Sequence, residues 1–169
     1  MRFQVYLSIG SNKGNRLGYI EYACIHLKNV LNDFNVSRIY ETAPRYYKHQ
    51  SKFLNLAASG YYKDSPFSLL REISFIESGA GRKRNPSIPK GPRTLDIDII
   101  LFGSEIIKTE QLTIPHEGLK ERRFVLIPLL ELNPTLYDPV TRRPLWEYLY
   151  KLDLQGVYLY NIPENINEY

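Results

Sequence analysis

The chain has 169 residues, a formal net charge of +4 and a pI near 9.1. That length allows one continuous core and excludes two ordinary domains, so we predict a single domain over residues 1–169. The mildly basic charge favours an anionic ligand such as a nucleotide. Residues 2–7 alternate polar and apolar side chains, and no later segment is apolar for long enough to span a bilayer. These features predict a cytoplasmic protein without a membrane partner.

The first half of the chain alternates strand and helix patterns. The predicted elements, in chain order, are a strand over 3–9, a helix over 17–31, strands over 34–42 and 53–62, and a helix that starts at Asp64-Ser65-Pro66 and ends near Gly79. The glycine-rich loop over 10–16 matches neither the P-loop nor the G-x-G-x-x-G pattern, so by itself it indicates only a turn.

A basic loop separates this half from the next strand. Residues 81–93 contain five cations and three prolines, which exclude a regular element. Such a loop is either a solvated connector or an electrostatic lid for polyphosphate, because arginine forks match phosphate oxygens. Its position directly before Asp96 and Asp98 favours the second interpretation.

The segment Leu95–Phe102 predicts a strand that carries two carboxylates. Alternation predicts one core face and one face that begins with the carboxylates; the core face contains Leu95, Ile97, Ile99 and Leu101, and the other contains Asp96, Asp98, Ile100 and Phe102. Two ionised carboxylates need a positive partner when water is removed. A basic residue such as Arg93 and a divalent metal both satisfy that need, and the D-x-D pattern alone leaves both interpretations open.

The remaining segments are shorter. We predict a short strand over 105–108 that pairs back, an extended segment over 112–116, a short polar helix over 117–124, an apolar helix over 125–132 with Pro128 in its first turn, an amphipathic helix over 143–149, and a tail from Asp153 that pairs as a strand or frays. The order of elements predicts an α+β fold with a ferredoxin-like βαββαβ core, extra C-terminal helices and three α-β-α layers.

Five blocks of sequence together resemble one enzyme family. They are Gly10-Ser-Asn-Lys-Gly-Asn-Arg16, Tyr40-Glu-Thr-Ala-Pro44, Phe53-Leu-Asn55, Gly91-Pro-Arg-Thr-Leu-Asp-Ile-Asp98, and Pro115-His116 with Arg122 and Phe124. In this order they closely resemble the 6-hydroxymethyl-7,8-dihydropterin pyrophosphokinases of folate biosynthesis. The resemblance extends from about Leu7 to Pro134.

The resemblance implies a reaction and its cofactors. Members of the family transfer the β,γ-diphosphate of ATP to the hydroxymethyl oxygen of 6-hydroxymethyl-7,8-dihydropterin and release AMP. Two Mg²⁺ ions take part, and by position Asp96 and Asp98 are expected to hold both. No dedicated general base is apparent in the sequence, so metal activation of the hydroxymethyl group is expected to replace one.

The resemblance also implies roles for further residues. Arg82 and Arg93 are expected to act on the phosphates as catalytic residues beside the two aspartates. The expected ATP contacts are Glu77, Arg84, Arg93, Thr113, His116 and Arg122. For the pterin, Phe53 and Phe124 are expected to sandwich the ring, and Asn55 is expected to bind its edge with the backbone at Thr42, Ala43 and Pro44. Fusion or functional coupling to other folate enzymes is a further expectation.

Three positions depart from the family pattern, namely Lys90, Gln111 and Glu117, and they bear on closure of the basic loop and on nucleotide affinity.

Other classes of function remain as alternatives: an RNA-binding module, a two-metal nuclease, and a catalytically silent homologue. The sequence contains no RNP signature of an RRM, so we predict no nucleic-acid partner.

Overall fold

The computed structural model describes residues 1–43, 50–82 and 91–161. The helices are α1 (Arg16–Val30), α2 (Pro66–Gly79), α3 (Arg123–Leu132) and α4 (Leu145–Lys151). The strands are β1 (Phe3–Ser11), β2 (Asn32–Val36), β3 (Tyr40–Thr42), β4 (Phe53–Tyr62), β5 (Asp96–Phe102), β6 (Ile107–Lys108), β7 (Thr113–Ile114) and β8 (Val157–Leu159).

One antiparallel sheet organises the fold. Its strand order is β5-β1-β4-β3-β8, and β2 also pairs with β4. With β2 and β3 counted together as the second strand of a βαββαβ unit, this is the ferredoxin-like order, so the predicted α+β fold is confirmed. Because β1 is antiparallel to both β4 and β5, the end of β1 meets the beginnings of its two neighbours.

Helices cover both faces of the sheet, which confirms the three layers. The first core cluster joins α1 and α2 to one face and includes Leu7, Ile20, Leu27, Leu69 and Ile73. The second joins α3 and α4 to the other face and includes Tyr6, Ala57, Leu126, Leu129 and Leu145. The side chains of Asn15 and Ser65 cap the first turns of α1 and α2, as residues of these types do before a helix.

The segment predicted as one strand over 34–42 is two strands. The hydroxyl of Ser37 accepts the N–H of Ala57 at 2.9 Å, and the N–H of Ser37 donates to the carbonyl of Ala57 at 2.9 Å. A side chain therefore takes a backbone donor of β4 that a continuous strand would use. The chain leaves the ladder at this point and returns to it at Tyr40.

A β-bulge changes the predicted faces of β5. Tyr6 pairs with Leu101 whereas Leu7 pairs with Ile99, so β5 has one extra residue opposite β1. The extra residue reverses the alternation beyond it. Leu101 therefore packs in the second cluster and Phe102 in the first, opposite to the prediction. Asp96 and Asp98 precede the bulge and share a face as predicted.

Two predictions for the C-terminal half are wrong in detail. Residues 117–121 form turns and not a helix; the N–H of Gly118 donates to the ring of His116 at 3.0 Å. Helix α3 begins at Arg123, so Pro128 lies inside it and not in its first turn. The predicted short strand is present as β6, which pairs with β7, and the tail contributes β8 to the edge of the sheet beside β3.

Across the three described ranges, no helix is long and apolar enough to cross a membrane. The cytoplasmic location remains a prediction.

Candidate active site

The cleft forms where α3 stops covering the sheet. On this face, β1 presents Tyr6 beneath α3 and then Ser8 and Gly10 beyond it. Strand β4 changes in the same way from Ala57 to Asn55. The sheet face is therefore apolar where α3 packs on it and polar where no helix covers it. Strand β5 follows the same pattern, with Ile100 covered and the two aspartates in the open part.

The open part of the sheet is a cleft with an empty volume of about 720 Å³, some of it open to solvent. Twelve residues line it: Ser8, Gly10, Thr42, Ala43, Gln50, Phe53, Asn55, Arg93, Asp96, Asp98, Arg122 and Phe124.

One end of the cleft combines aromatic rings with a buried amide. Phe53 opens β4, and Phe124 is the second residue of α3. Asn55 is 4% exposed, and its Nδ2 donates to the hydroxyl of Thr42 at 2.8 Å. Because Gly10 has no side chain, the Asn55 amide lies directly against the backbone of β1. The amide orientation is therefore held by Thr42, and the ring faces of the two phenylalanines suit a flat heterocycle.

The other end of the cleft is charged. Asp96 and Asp98 lie opposite Gly10 and Ser8 in the β1–β5 ladder. The carboxylate of Asp96 contacts the guanidinium groups of Arg93 and Arg82, and Arg82 Nη2 lies 2.8 Å from Asp96 Oδ1. Both arginines were predicted to act on phosphates. Asp96 is therefore neutralised by arginine, which was one of the two interpretations of the carboxylate pair; the other was a divalent metal.

Glu77 lies behind Arg82. It is 7% exposed, its Oε1 accepts the N–H of Ile97 at 2.8 Å, and it also contacts the Arg82 guanidinium. Burial raises the pKa of Glu77 against the opposing effect of these two partners. The carboxylate faces the protein, so it supports Arg82 and the strand between the aspartates; a direct nucleotide contact remains a prediction.

Asp98 is less well compensated than Asp96. Burial at the floor of the cleft, and then the charge of Asp96, raise the pKa of Asp98, although His116, Arg122 and Arg93 oppose the shift. Its side chain is 35% exposed, on the side that faces the cleft. His116 Nε2 is 3.7 Å from Asp98 Oδ2, beyond hydrogen-bond distance.

Arg122 brings a cation with an unused donor to the rim. Among the described residues, its Nε is buried without a hydrogen-bond partner. Its guanidinium carbon lies 5.9 Å from the ring centroid of Phe124, and Gly118 leaves room for it because a Cβ there would overlap the guanidinium. Arg122 lines the cleft, so the positive charge of its guanidinium suits an anionic ligand there.

The structure brings most of the predicted residues together. Nine line the cleft: Thr42, Ala43, Phe53, Asn55, Arg93, Asp96, Asp98, Arg122 and Phe124. Arg82, Glu77 and His116 adjoin it through the aspartates, whereas Thr113 in β7 is not part of the lining. Pro44, Arg84 and Lys90 lie outside the described residues.

Sequence reasoning missed three lining residues, Ser8, Gly10 and Gln50. The signal for the first two was the alternation of β1, since a polar residue and a glycine follow Tyr6 on one face of a central strand. Gln50 lies in a segment without periodicity, where no pattern indicates which side chain faces the cleft.

The two aspartates fit a metal that also binds phosphate. No group of three His, Cys, Asp or Glu side chains that could hold a metal occurs in the described ranges. Mg²⁺ usually takes one or two carboxylates and completes its octahedron with water and substrate phosphates. A carboxylate pair on one strand face beside arginines has the donor chemistry for such an ion.

The fold and the cleft together define a class, the α+β proteins of ferredoxin-like arrangement with a cleft on one sheet face. The chain belongs to the 7,8-dihydro-6-hydroxymethylpterin-pyrophosphokinase (HPPK) family, whose model matches residues 6–134.

Relatives and solved structures agree with that assignment. The chain is 38% identical over 144 residues to a 2-amino-4-hydroxy-6-hydroxymethyldihydropteridine pyrophosphokinase of Aquifex aeolicus, with 85% of this chain and 89% of that protein covered. It is 45% identical over 162 residues to the folic acid synthesis protein fol1 of Schizosaccharomyces pombe, with 95% of this chain and 22% of that protein covered. A crystal structure of Plasmodium falciparum HPPK-DHPS has a TM-score of 0.68 at 17% identity, with 89% and 45% covered. The chain therefore spans less than half the length of the last two proteins.

Proposed function

We propose that this protein transfers the β,γ-diphosphate of ATP to the hydroxymethyl oxygen of 6-hydroxymethyl-7,8-dihydropterin, as a step of folate biosynthesis. The observation that carries the proposal is the cleft, in which an aromatic and amide end and a charged end meet on one sheet face. Membership of the HPPK family and the name of the Aquifex relative support the same reaction.

The pterin binds at the aromatic end. Phe53 and Phe124 stack on the two faces of the ring. The Asn55 amide, held by its bond to Thr42, offers a donor and an acceptor to the ring edge, and the backbone at Thr42 and Ala43 completes the recognition. The bond to Thr42 supports this role because it fixes the amide before the ligand arrives. Pro44, outside the described residues, belongs to the same proposal.

The triphosphate binds at the charged end. Arg82 and Arg93 contact Asp96 in this structure, and in the proposal they exchange that contact for the phosphate oxygens, which Arg122 also binds. His116 lies beside Asp98 on the nucleotide side. Asp96 and Asp98 would hold the two Mg²⁺ ions of the proposed reaction. When bound, these ions supply charge neutralisation and a lowered pKa at the attacking hydroxyl. Thr113, Glu77 and Arg84 remain weaker nucleotide-side assignments in the proposal.

The reaction exchanges one phosphorus–oxygen bond for another. The pterin hydroxymethyl oxygen forms a bond to the β-phosphorus and loses its proton, while the bond from the β-phosphorus to the α,β-bridging oxygen breaks. AMP leaves with the bridging oxygen. The protein aligns the two substrates in the cleft and neutralises the phosphates. Alignment and charge neutralisation supply much of the acceleration in phosphoryl-type transfers.

The same proposal covers the organisation of the chain. We assign residues 1–169 to one domain of this type. Because the chain matches only 22% of S. pombe fol1, a folic acid synthesis protein, we propose that the domain works with other folate-pathway enzymes, fused or separate.

The test is product analysis with ATP, Mg²⁺ and 6-hydroxymethyl-7,8-dihydropterin. We expect AMP and the pterin diphosphate in equal amounts. Formation of ADP, or AMP that does not depend on the pterin, refutes the proposal, because either result means a different bond is broken. Cleavage of RNA or DNA with Mg²⁺ would point to a nuclease instead.

A variant pair links the activity to the carboxylates. Asp98→Asn is expected to lower turnover by at least about 100-fold, the usual effect of losing one preorganised electrostatic contact in a transition state. Asp153→Asn removes an exposed carboxylate outside the cleft and serves as the matched control. Equal turnover in the two variants at saturating Mg²⁺ contradicts the assignment of Asp98.

A further inference from the structure

Asn12 occupies an unusual place for a loop residue. It directly follows the last residue of β1 and is only 2% exposed. At this point β1 lies between the beginnings of β4 and β5, which carry the two ends of the cleft. A buried amide must find partners for its donors and its acceptor, so the contacts of Asn12 show what it connects.

On one side, Asn12 holds the backbone of Arg93 by two hydrogen bonds. The N–H of Asn12 donates to the carbonyl of Arg93 at 3.1 Å, and the N–H of Arg93 donates to Asn12 Oδ1 at 2.8 Å. Both backbone groups of Arg93 are therefore fixed by a single residue. The Arg93 guanidinium contacts Asp96, so Asn12 acts on the charged end of the cleft through Arg93.

On the other side, Asn12 holds the segment that leads into Phe53. Its Nδ2 donates to Gln50 Oε1 at 2.9 Å and to the carbonyl of Ser51 at 3.2 Å. Gln50 lines the cleft, and Ser51 is two residues before Phe53. Both hydrogens of the side-chain amide are therefore bonded to Gln50 and Ser51, whereas its oxygen and the backbone N–H of Asn12 are bonded to Arg93.

From these contacts we infer that Asn12 is a positioning residue that couples the two ends of the cleft. The inference rests on the proposed function. A planar amide bonded to both segments transmits a displacement of one to the other, so a nucleotide that fixes Arg93 also favours the arrangement of Gln50 and Ser51 that the pterin needs. Binding of either ligand then strengthens binding of the other, and linkage makes the effect reciprocal.

The experiment measures the affinity for 6-hydroxymethyl-7,8-dihydropterin by calorimetry with and without nucleotide. The nucleotide is an ATP analogue with a methylene bridge between the α- and β-phosphorus atoms, together with Mg²⁺, so that no reaction occurs. The ratio of the two Kd values is the coupling factor. For the unmodified protein we expect a factor of at least about 5, the lower end of typical allosteric coupling.

Two substitutions separate the contacts of Asn12. Asn12→Ala removes all three side-chain bonds. Asn12→Asp keeps the acceptor for the Arg93 N–H but places an oxygen against the carbonyl of Ser51, which cannot rotate to become a donor. In both variants we expect the coupling factor to fall more than twofold. A change in the affinity for either ligand alone cancels in this ratio, so a merely structural role does not lower it.

The matched controls are Asn35→Ala and Asn35→Asp in β2, where an exposed Asn side chain accepts the N–H of Val36. They make the same chemical changes away from the cleft and are expected to leave the coupling factor unchanged. Thermal unfolding of each variant identifies those that fold. A fall of less than twofold in either folded Asn12 variant overturns the inference, as does an unmodified protein that binds both ligands without coupling. Failure to bind the pterin at all refutes the proposed function instead.

Discussion

Gly10→Ala is the substitution for which the structure gives the sharpest expectation at the pterin end. A Cβ on Gly10 would lie 2.9 Å from Asn55 Oδ1, and its next nearest atoms, 3.8 Å away, also belong to β4. The first distance is about 0.5 Å short of ordinary van der Waals contact. The amide has little freedom to move aside, because its Nδ2 is bonded to Thr42. We therefore expect the methyl group to displace the amide from the position in which it meets the ligand.

The expected loss follows from the bonds that the displaced amide would make. Each hydrogen bond contributes about 0.5–1.5 kcal/mol. Two bonds to the pterin edge therefore amount to about 1–3 kcal/mol, a Kd about 5- to 150-fold higher. The fold should persist, because the backbone of Gly10 is outside the left-handed region and a side chain there adds no strain in φ.

Calorimetric titration of the pterin into protein saturated with Mg²⁺ and the methylene-bridged ATP analogue measures this effect. Asn55→Ala, which removes the amide without adding a methyl group, is expected to give a similar loss. A Kd within twofold of the unmodified protein for Gly10→Ala would refute the reasoning, because the amide would then have room that the structure does not show.

Two further substitutions test the other parts of the structure. Phe124→Ala should weaken the binding free energy of the pterin by about 1–3 kcal/mol, the usual contribution of a stacked base. Phe75→Ala, which removes an exposed ring of α2, should leave the binding unchanged in the same titration. Asp138→Asn tests a buried carboxylate. Burial acts to raise the pKa of Asp138, but hydrogen bonds from Lys120 and then from other donors lower it overall. Its ionised form stabilises the fold above the ordinary pKa of 3.8, and this contribution is lost as pH falls through the lower folded value. Urea unfolding should therefore show that Asp138→Asn lowers the free energy of unfolding by about 1–3 kcal/mol at pH 7, and by less below pH 3.8. An equal loss at pH 7 and below pH 3.8 would contradict the assignment.

Local pattern was sufficient for most of the fold. The alternation of β1, the helical spacing in α1 and the start signal before α2 are properties of neighbouring residues, and the structure confirms the elements they predict. Interactions between distant segments account for the errors. The break after β2 depends on a hydroxyl of Ser37 that reaches β4, and the reversal in β5 depends on an extra residue opposite β1.

The candidate site divides in the same way. The sequence by itself determined which residue types are present: two carboxylates on one strand face, a cationic segment before them, and an Asn two residues after an aromatic residue. The family resemblance had paired Phe124 with Phe53, and the structure brings both into one cleft across 71 positions. Only the tertiary structure decided that Glu77 lies behind Arg82 and that Asn12 bonds to both sides. The physical reason is that strand and helix periodicity sets the direction of a side chain within its own element. The antiparallel register and the uncovered part of the sheet set which of those side chains meet.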